Sequence, residues 1–207
     1  MAISLKFEQM RTVFLVFFSS LCWLGCRQMS PQDYQKLPTF GESGVHVVVE
    51  IPAGSNHKIE YQKEERRFEN DQEEGKDRVI NFLPYPGNYG FIPSTYMDPM
   101  QGGDGDALDV LVIAESLPTG TVLETKPIAT LLLKDNGDLD TKIIAIPVNL
   151  EDQVLPIANF QDFLIHHDIS KRMIEQWFLN YKGPNEMQLI RWEDEQYAMQ
   201  EIKKWQQ

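Results

Sequence analysis

The apolar residues change rhythm once along the chain, and that change limits the folds open to it. "VHVVVEIP" (45–52) alternates, with Val45, Val47, Val49 and Ile51 on one face and His46, Val48 and Glu50 on the other. Segments 57–62, 108–114, 122–133 and 141–148 are further strand candidates. "NFLPYPGNYGFIPSTY" (81–96), rich in Pro, Gly and Tyr, reads as a rigid loop. Helical spacing begins only at Ser170, where Met173, Ile174, Trp177, Phe178 and Tyr181 recur before Gly183 and Pro184. It returns near the end with Tyr197, Ala198, Ile202 and Trp205. Strands followed by helices predict a mainly β architecture, a small barrel or curled sheet with helices packed outside. At 207 residues and 42% apolar, the chain can bury such a core without disulfide or metal staples.

The N-terminus is a separate object. Lys6 and Arg11 precede "TVFLVFFSSLCWLG", 14 uncharged residues that are too few to span a bilayer comfortably, and then Cys26. Gly25 before Cys26 resembles the lipobox of bacterial lipoprotein signal peptides, although Trp23 stands where Leu is usual. The expectation is a lipoprotein-type signal over 1–25, lipidation at Cys26, a polar tether over 26–44 and one folded domain over 45–207. Such a chain is exported and lipid-anchored to a bacterial membrane, facing the periplasm or the cell surface. An ordinary signal and a buried N-terminal helix are the alternatives, and without a signal the chain is cytoplasmic. Both cysteines, Cys22 and Cys26, lie in this segment, so the mature domain is expected to hold no disulfide.

The net charge of −12 argues against nucleic acid as a partner. Within that acidic chain, "GGDGDALDVLVIAES" (102–116) crowds Asp104, Asp106 and Asp109 at the mouth of an apolar run. A carboxylate there needs a counter-charge. An EF-hand frame fails, because its glycine position falls on Asp109 and no flanking helices are expected. A solvated Gly-Asp turn and a cluster of oxygen ligands for Mg²⁺ both remain, and Asp109 inside "LDVLV" weighs against the first. A second island, "KDNGDLDTK" (134–142), places Asp140 and Lys142 two residues apart, on one face of a strand. Its "DNG" also makes an ordinary hairpin turn.

The motifs together are more specific than any one of them. "EIP", Lys58 with Glu60, "DRV", "PGNYGFIP", "DGDALDVLV", "DLDTKIIAIP" and "YK" follow one another in the order and spacing of family I soluble inorganic pyrophosphatases, over about residues 45–183. Ala107, where many members have Pro or Glu, is a departure that supplies no ligand atom. The resemblance implies a small closed OB-like β-barrel with helices outside, and a catalytic domain over 45–207. It implies Mg²⁺-dependent hydrolysis of pyrophosphate to two phosphates by direct attack of water, using several Mg²⁺ ions. By resemblance, Asp104, Asp109 and Asp140 hold the principal Mg²⁺, and Asp109 also touches a second. Asp135 and Asp140 bind metal arriving with substrate, and Glu50 and Glu60 complete the acidic shell. Asp106 accepts the proton of the attacking water, and Tyr89 steers that water and the electrophilic end. Lys58, Arg78, Lys142, Tyr181 and Lys182 contact phosphate oxygens. The resemblance also implies a homo-oligomer of unspecified size. His46, His57, His166 and His167 show no spacing that suggests a zinc site.

Overall fold

The structure, a computed structural model, describes residues 32–207. The expected signal over 1–25, Cys26 and the start of the tether lie outside the described residues. No helix among the described residues is long and apolar enough to cross a membrane.

The first strands in order are β1 (Val45–Ile51), β2 (Ile59–Gln62), β3 (Arg67–Asn70), β4 (Gln72–Glu73), β5 (Lys76–Asp77), β6 (Asn88–Phe91) and β7 (Asp109–Val112). The long β8 (Val122–Asp135) and β9 (Asp138–Pro147) precede the helices α1 (Phe160–His166) and α2 (Asp168–Asn180). β10 (Met187–Asp194) and α3 (Glu195–Trp205) close the chain. The fold is mainly β with helices against the sheet. β1 pairs with both β6 and β8, β6 with β7, β7 with β9 and β9 with β8, so these pairings return to their starting strand. β8 changes neighbours along its length, from β1 at Val122–Thr125 to β10 at Ala129–Asp135. An irregularity between Pro127 and Ala129 marks the change, where Pro127 has no N–H to donate.

Both faces of this sheet are apolar, which explains runs such as "DVLV" and "IIAIP". Leu111, Ile144, Ile146, Leu131 and Leu133 pack with Ile174, Trp177 and Phe178 of α2. Val110, Val112, Ile143 and Ala145 pack with Ala198, Ile202 and Trp205 of α3. β1 does not keep the single apolar face that alternation predicts. Val45 and Val47 join the α3 cluster, whereas Ile51 joins the α2 cluster. The cause is a bulge: Val49 pairs with Gly90 and Ile51 with Tyr89, leaving Glu50 between them.

Two further expectations are corrected. Segment 81–96 is not all loop, because Asn88–Phe91 is a fully buried strand. Gly90 looks like a turn signal, yet its role is close approach: a Cβ there would lie 1.9 Å from the Val48 carbonyl oxygen. The described part of the expected tether is not a free linker either. Thr39 is buried and donates to the Pro93 carbonyl at 2.9 Å, and Phe40 bridges to Val45.

Candidate active site

β7 and β9 run parallel with Asp109 opposite Lys142. Asp140, two residues earlier on β9, shares the Lys142 face as strand alternation requires. The Lys142 ammonium therefore lies between two carboxylates, 2.5 Å from Asp109 Oδ2 and 2.7 Å from Asp140 Oδ1. Lys142 is only 5% exposed. Burial alone would lower its pKa, but Asp109 and its other anionic neighbours outweigh that and hold it well above the usual lysine range. Burial raises the Asp140 carboxyl, with Lys142 pulling the other way.

The loop before β7 is stitched in place by its backbone. Met97 N–H donates to the Asp106 carbonyl and Gly105 N–H to the Met97 carbonyl, both at 2.8 Å. Gly105 adopts φ +90°, a conformation that favours glycine. Asp104 Oδ1 accepts the Asp106 N–H at 3.0 Å, so the two acids are held in one tight turn. Burial raises the Asp104 carboxyl, and that bond opposes the rise.

The β1 bulge re-aims Glu50 into the same region. Its Oε1 accepts the Tyr61 N–H at 2.7 Å. Burial pushes the Glu50 carboxyl up to about 8, against the pull of that bond and of Lys58. On the segment leading into β2, Lys58 pairs with Glu60 at 2.9 Å. Burial works against the Lys58 charge, yet Tyr85, Glu60 and Asp109 together raise its pKa.

The β8–β9 hairpin turns through Asn136 and Gly137, both with positive φ, and so brings Asp135 back beside Asp138. Asp135 forms an ion pair with Lys182, just beyond the end of α2. Tyr181, one residue before, stacks on Trp177 with ring centres 4.7 Å apart and planes 6° apart. Trp177 also donates its indole N–H to the Leu83 carbonyl at 2.8 Å. Tyr85 packs 4.5 Å from Trp177 and 5.3 Å from Tyr89. Burial raises the phenol pKa of Tyr85, Tyr89 and Tyr181, so all three are neutral hydrogen-bonding groups near pH 7. Arg78 is held by Asp71 at 3.0 Å, a partner the sequence does not suggest.

These side chains converge on one cleft of about 340 Å³. Of the residues implied by the sequence resemblance, Glu50 and Asp106 line an adjoining compartment of about 170 Å³; the remaining polar ones outside the lipidation site line the main cleft. Lys58, Glu60, Asp104 and Asp109 border both. Tyr85 and Trp177 line the main cleft too, although sequence pattern alone assigns them to a loop and to the core face of a helix.

The acids offer only oxygen donors, and none of the four histidines lines either compartment. That donor set suits a hard divalent cation such as Mg²⁺. Among the described residues, no three acids or histidines draw close enough to enclose an ion as they stand. Like charges spread apart, and here lysine ammonium groups lie against Asp109, Asp140, Asp135 and Glu60.

The family model described as inorganic pyrophosphatase matches residues 47–207. An inorganic pyrophosphatase of Saccharolobus solfataricus is 37% identical over 165 residues, covering 77% of this chain and 88% of that one. Another, of Haemophilus influenzae, is 34% identical and covers 84% of this chain and 97% of its own. The crystal structure of inorganic pyrophosphatase from Thermus thermophilus superposes with a TM-score of 0.70 at 30% identity, covering 83% of this chain and 95% of that one. The type I enzyme of Toxoplasma gondii gives a TM-score of 0.75 at 27% identity, covering 84% of each chain. The chain belongs to the inorganic pyrophosphatase family.

Proposed function

We propose that the chain hydrolyses pyrophosphate to two phosphates by direct attack of water, with Mg²⁺ held by Asp104, Asp109, Asp140, Asp135, Glu50 and Glu60. The observation that carries this reading is the alternation of ammonium and carboxylate groups around one small cleft, with Lys142 between Asp109 and Asp140 as its centre. Pyrophosphate offers little shape and much charge, so a site for it must recognise charge. Bound Mg²⁺ supplies neutralisation of the phosphate oxygens and acidification of a water.

The chain's own groups do the rest. Lys58, Arg78, Lys142 and Lys182 present positive charge where the transition state spreads its negative charge. Tyr89 and Tyr181 stay protonated and donate to phosphate oxygens or to water. Asp106, exposed at the mouth of the smaller compartment, accepts the proton of the attacking water. No phosphoenzyme is required.

The reading includes export and a membrane anchor through acylated Cys26, supported by Lys6, Arg11, the uncharged run 12–25 and Gly25. It also includes self-association, supported by the family alone. The test is phosphate release from pyrophosphate by the purified protein, titrated with Mg²⁺. Turnover that rises with Mg²⁺ supports the reading. Tight pyrophosphate binding without phosphate release would make the chain a metal-dependent binding protein instead.

A further inference from the structure

The segment before β1, polar with two prolines and two glycines over residues 27–44, has the composition of a passive linker. Its described part behaves otherwise. Ser94 donates its N–H to the Gln35 carbonyl at 2.8 Å and its hydroxyl to the Leu37 carbonyl at 2.7 Å. The Glu124 carboxylate accepts the N–H groups of Glu42 and Ser43, at 3.2 and 2.7 Å. A short 3₁₀ turn, Tyr34–Lys36, sends two neighbouring side chains to different places. Gln35 lines the smaller compartment together with Glu50 and Asp106. Tyr34 packs edge-to-face against both Tyr61 and Phe68, with ring centres 5.3 and 5.0 Å away, and those two rings also touch each other at 5.1 Å, so the three form a triangle.

Tyr61 is gripped at its far end as well. Its hydroxyl donates to the Gln32 carbonyl at 3.0 Å and accepts the Tyr34 N–H at 3.3 Å. The same residue's amide donates to Glu50 Oε1 at 2.7 Å. Tyr61, held in β2 opposite Phe68 of β3, thus joins the N-terminal arm to a carboxylate of the site: its ring and hydroxyl meet the arm and its amide meets Glu50. Glu50 needs such a guide, because it is the extra residue of a bulge and has no partner across the ladder.

We propose that the arm Gln32–Gly44 is a working part of the hydrolytic site, in which Tyr34 and Tyr61 are positioning residues that aim the Glu50 carboxylate. The inference rests on the assignment of Glu50 as a cation ligand. Groups that orient a metal ligand from behind typically control affinity about 10–100-fold. Tyr34 acts one step further back, so about 3–10-fold is expected for it.

The experiment is calorimetric Mg²⁺ titration of the full chain without pyrophosphate, with thermal unfolding in EDTA run beside it. Tyr34→Ala and Tyr61→Phe should each weaken Mg²⁺ binding, and Tyr34→Phe should restore it. In a Glu50→Gln background, Tyr34→Ala and Tyr61→Phe should weaken Mg²⁺ no further, because the group they aim is already changed. Unchanged Mg²⁺ affinity in both single variants overturns the proposal, as does an undiminished loss in the Glu50→Gln background. Tyr61→Phe removes a single oxygen, so it carries the test even where Tyr34→Ala unfolds. If Glu50→Gln alone leaves Mg²⁺ affinity unchanged, the assignment of Glu50 fails and the arm's role with it. Weakened Mg²⁺ binding in the arm variants of a protein that releases no phosphate supports the arm's role and sinks the hydrolase reading alone.

Discussion

The Lys142 ammonium lies 2.5 Å from Asp109 Oδ2, across the parallel pairing of β9 with β7. Asp140 closes the arrangement from the same strand at 2.7 Å. One cation therefore holds two acids that would otherwise repel, in a place where Lys142 is almost fully buried. Removing one member of such a buried group typically costs about 3–5 kcal/mol, and Asp109, 30% exposed, brings this case to the lower end of that range. Lys142→Met should therefore lower the denaturant midpoint measured in EDTA. Mg²⁺ should recover part of the loss, because a cation bound to Asp109 and Asp140 replaces the missing charge and favours the folded state by mass action. At saturating Mg²⁺ the variant should still lose about 10²–10³-fold in kcat, the usual effect of removing one donor to developing negative charge. An unchanged midpoint in EDTA contradicts the structural half of this prediction, and an unchanged kcat the catalytic half.

Trp177 supports Tyr181 from below, the two rings lying nearly parallel at 4.7 Å. Trp177 is 4% exposed and tied to Leu83 by its indole N–H. Trp177→Ala should destabilise the protein by about 3–5 kcal/mol, as large-to-small changes of buried aromatics do. It should also raise KM for pyrophosphate, since Tyr181 loses its platform. Trp177→Phe keeps a ring under Tyr181 and loses one hydrogen bond, worth about 1 kcal/mol, so its KM should stay near the wild-type value. Equal KM shifts in both variants would show that the stack does not position Tyr181.

The features legible in the sequence are those that period and turn chemistry dictate. Asp140 and Lys142 share a face because strands alternate, and Asn136–Gly137 turn because both accept positive φ. The apolar spacing of Ile174, Trp177 and Phe178 marks α2 correctly. What escaped reading was carried by the backbone or by neighbours distant in sequence. The β1 bulge that turns Glu50 carries no glycine or other local mark. β6 was hidden because Gly90, needed for the close approach of the Val48 carbonyl, resembles a loop residue. β10 gives no signal in the sequence because half of its side chains are exposed and their burial does not alternate. The arm looks like a tether because its contacts run largely through carbonyl and amide groups that composition does not encode. Tyr85 and Trp177 join the cleft only through tertiary packing.

The proposed anchor depends on Cys26, which lies outside the described residues. A single acyl chain holds a protein to membranes only marginally, so stable anchoring needs more than one. Cys26→Ser should leave the precursor unprocessed and abolish metabolic labelling by a fatty-acid analogue. Persistence of the label in that variant, or its loss only in Cys22→Ser, would defeat the assignment. Pyrophosphate hydrolysis by the purified Cys26→Ser protein should stay near the wild-type rate, because every residue assigned to metal, substrate or proton transfer lies within Glu50–Lys182 of the sequence.

Asp104 and Asp106 share one turn, joined by a 3.0 Å hydrogen bond from the Asp106 N–H to Asp104 Oδ1, yet they are assigned different work. Asp104 borders both compartments and is assigned to Mg²⁺. Asp104→Asn keeps an oxygen that can accept the same N–H and can still coordinate a cation, but without charge. Its effect should fall on the Mg²⁺ concentration needed, and added Mg²⁺ should restore part of the rate. Asp106 lines only the smaller compartment and is assigned to the proton of the attacking water. Asn cannot accept that proton, and general-base contributions are typically about 10²–10⁴-fold. Asp106→Asn should therefore lose rate on that scale even at saturating Mg²⁺, while binding pyrophosphate normally. Phosphate release titrated with Mg²⁺, with pyrophosphate binding measured in parallel, separates the two. Full recovery of Asp106→Asn by added metal, with no recovery of Asp104→Asn, would reverse the division of labour within this turn.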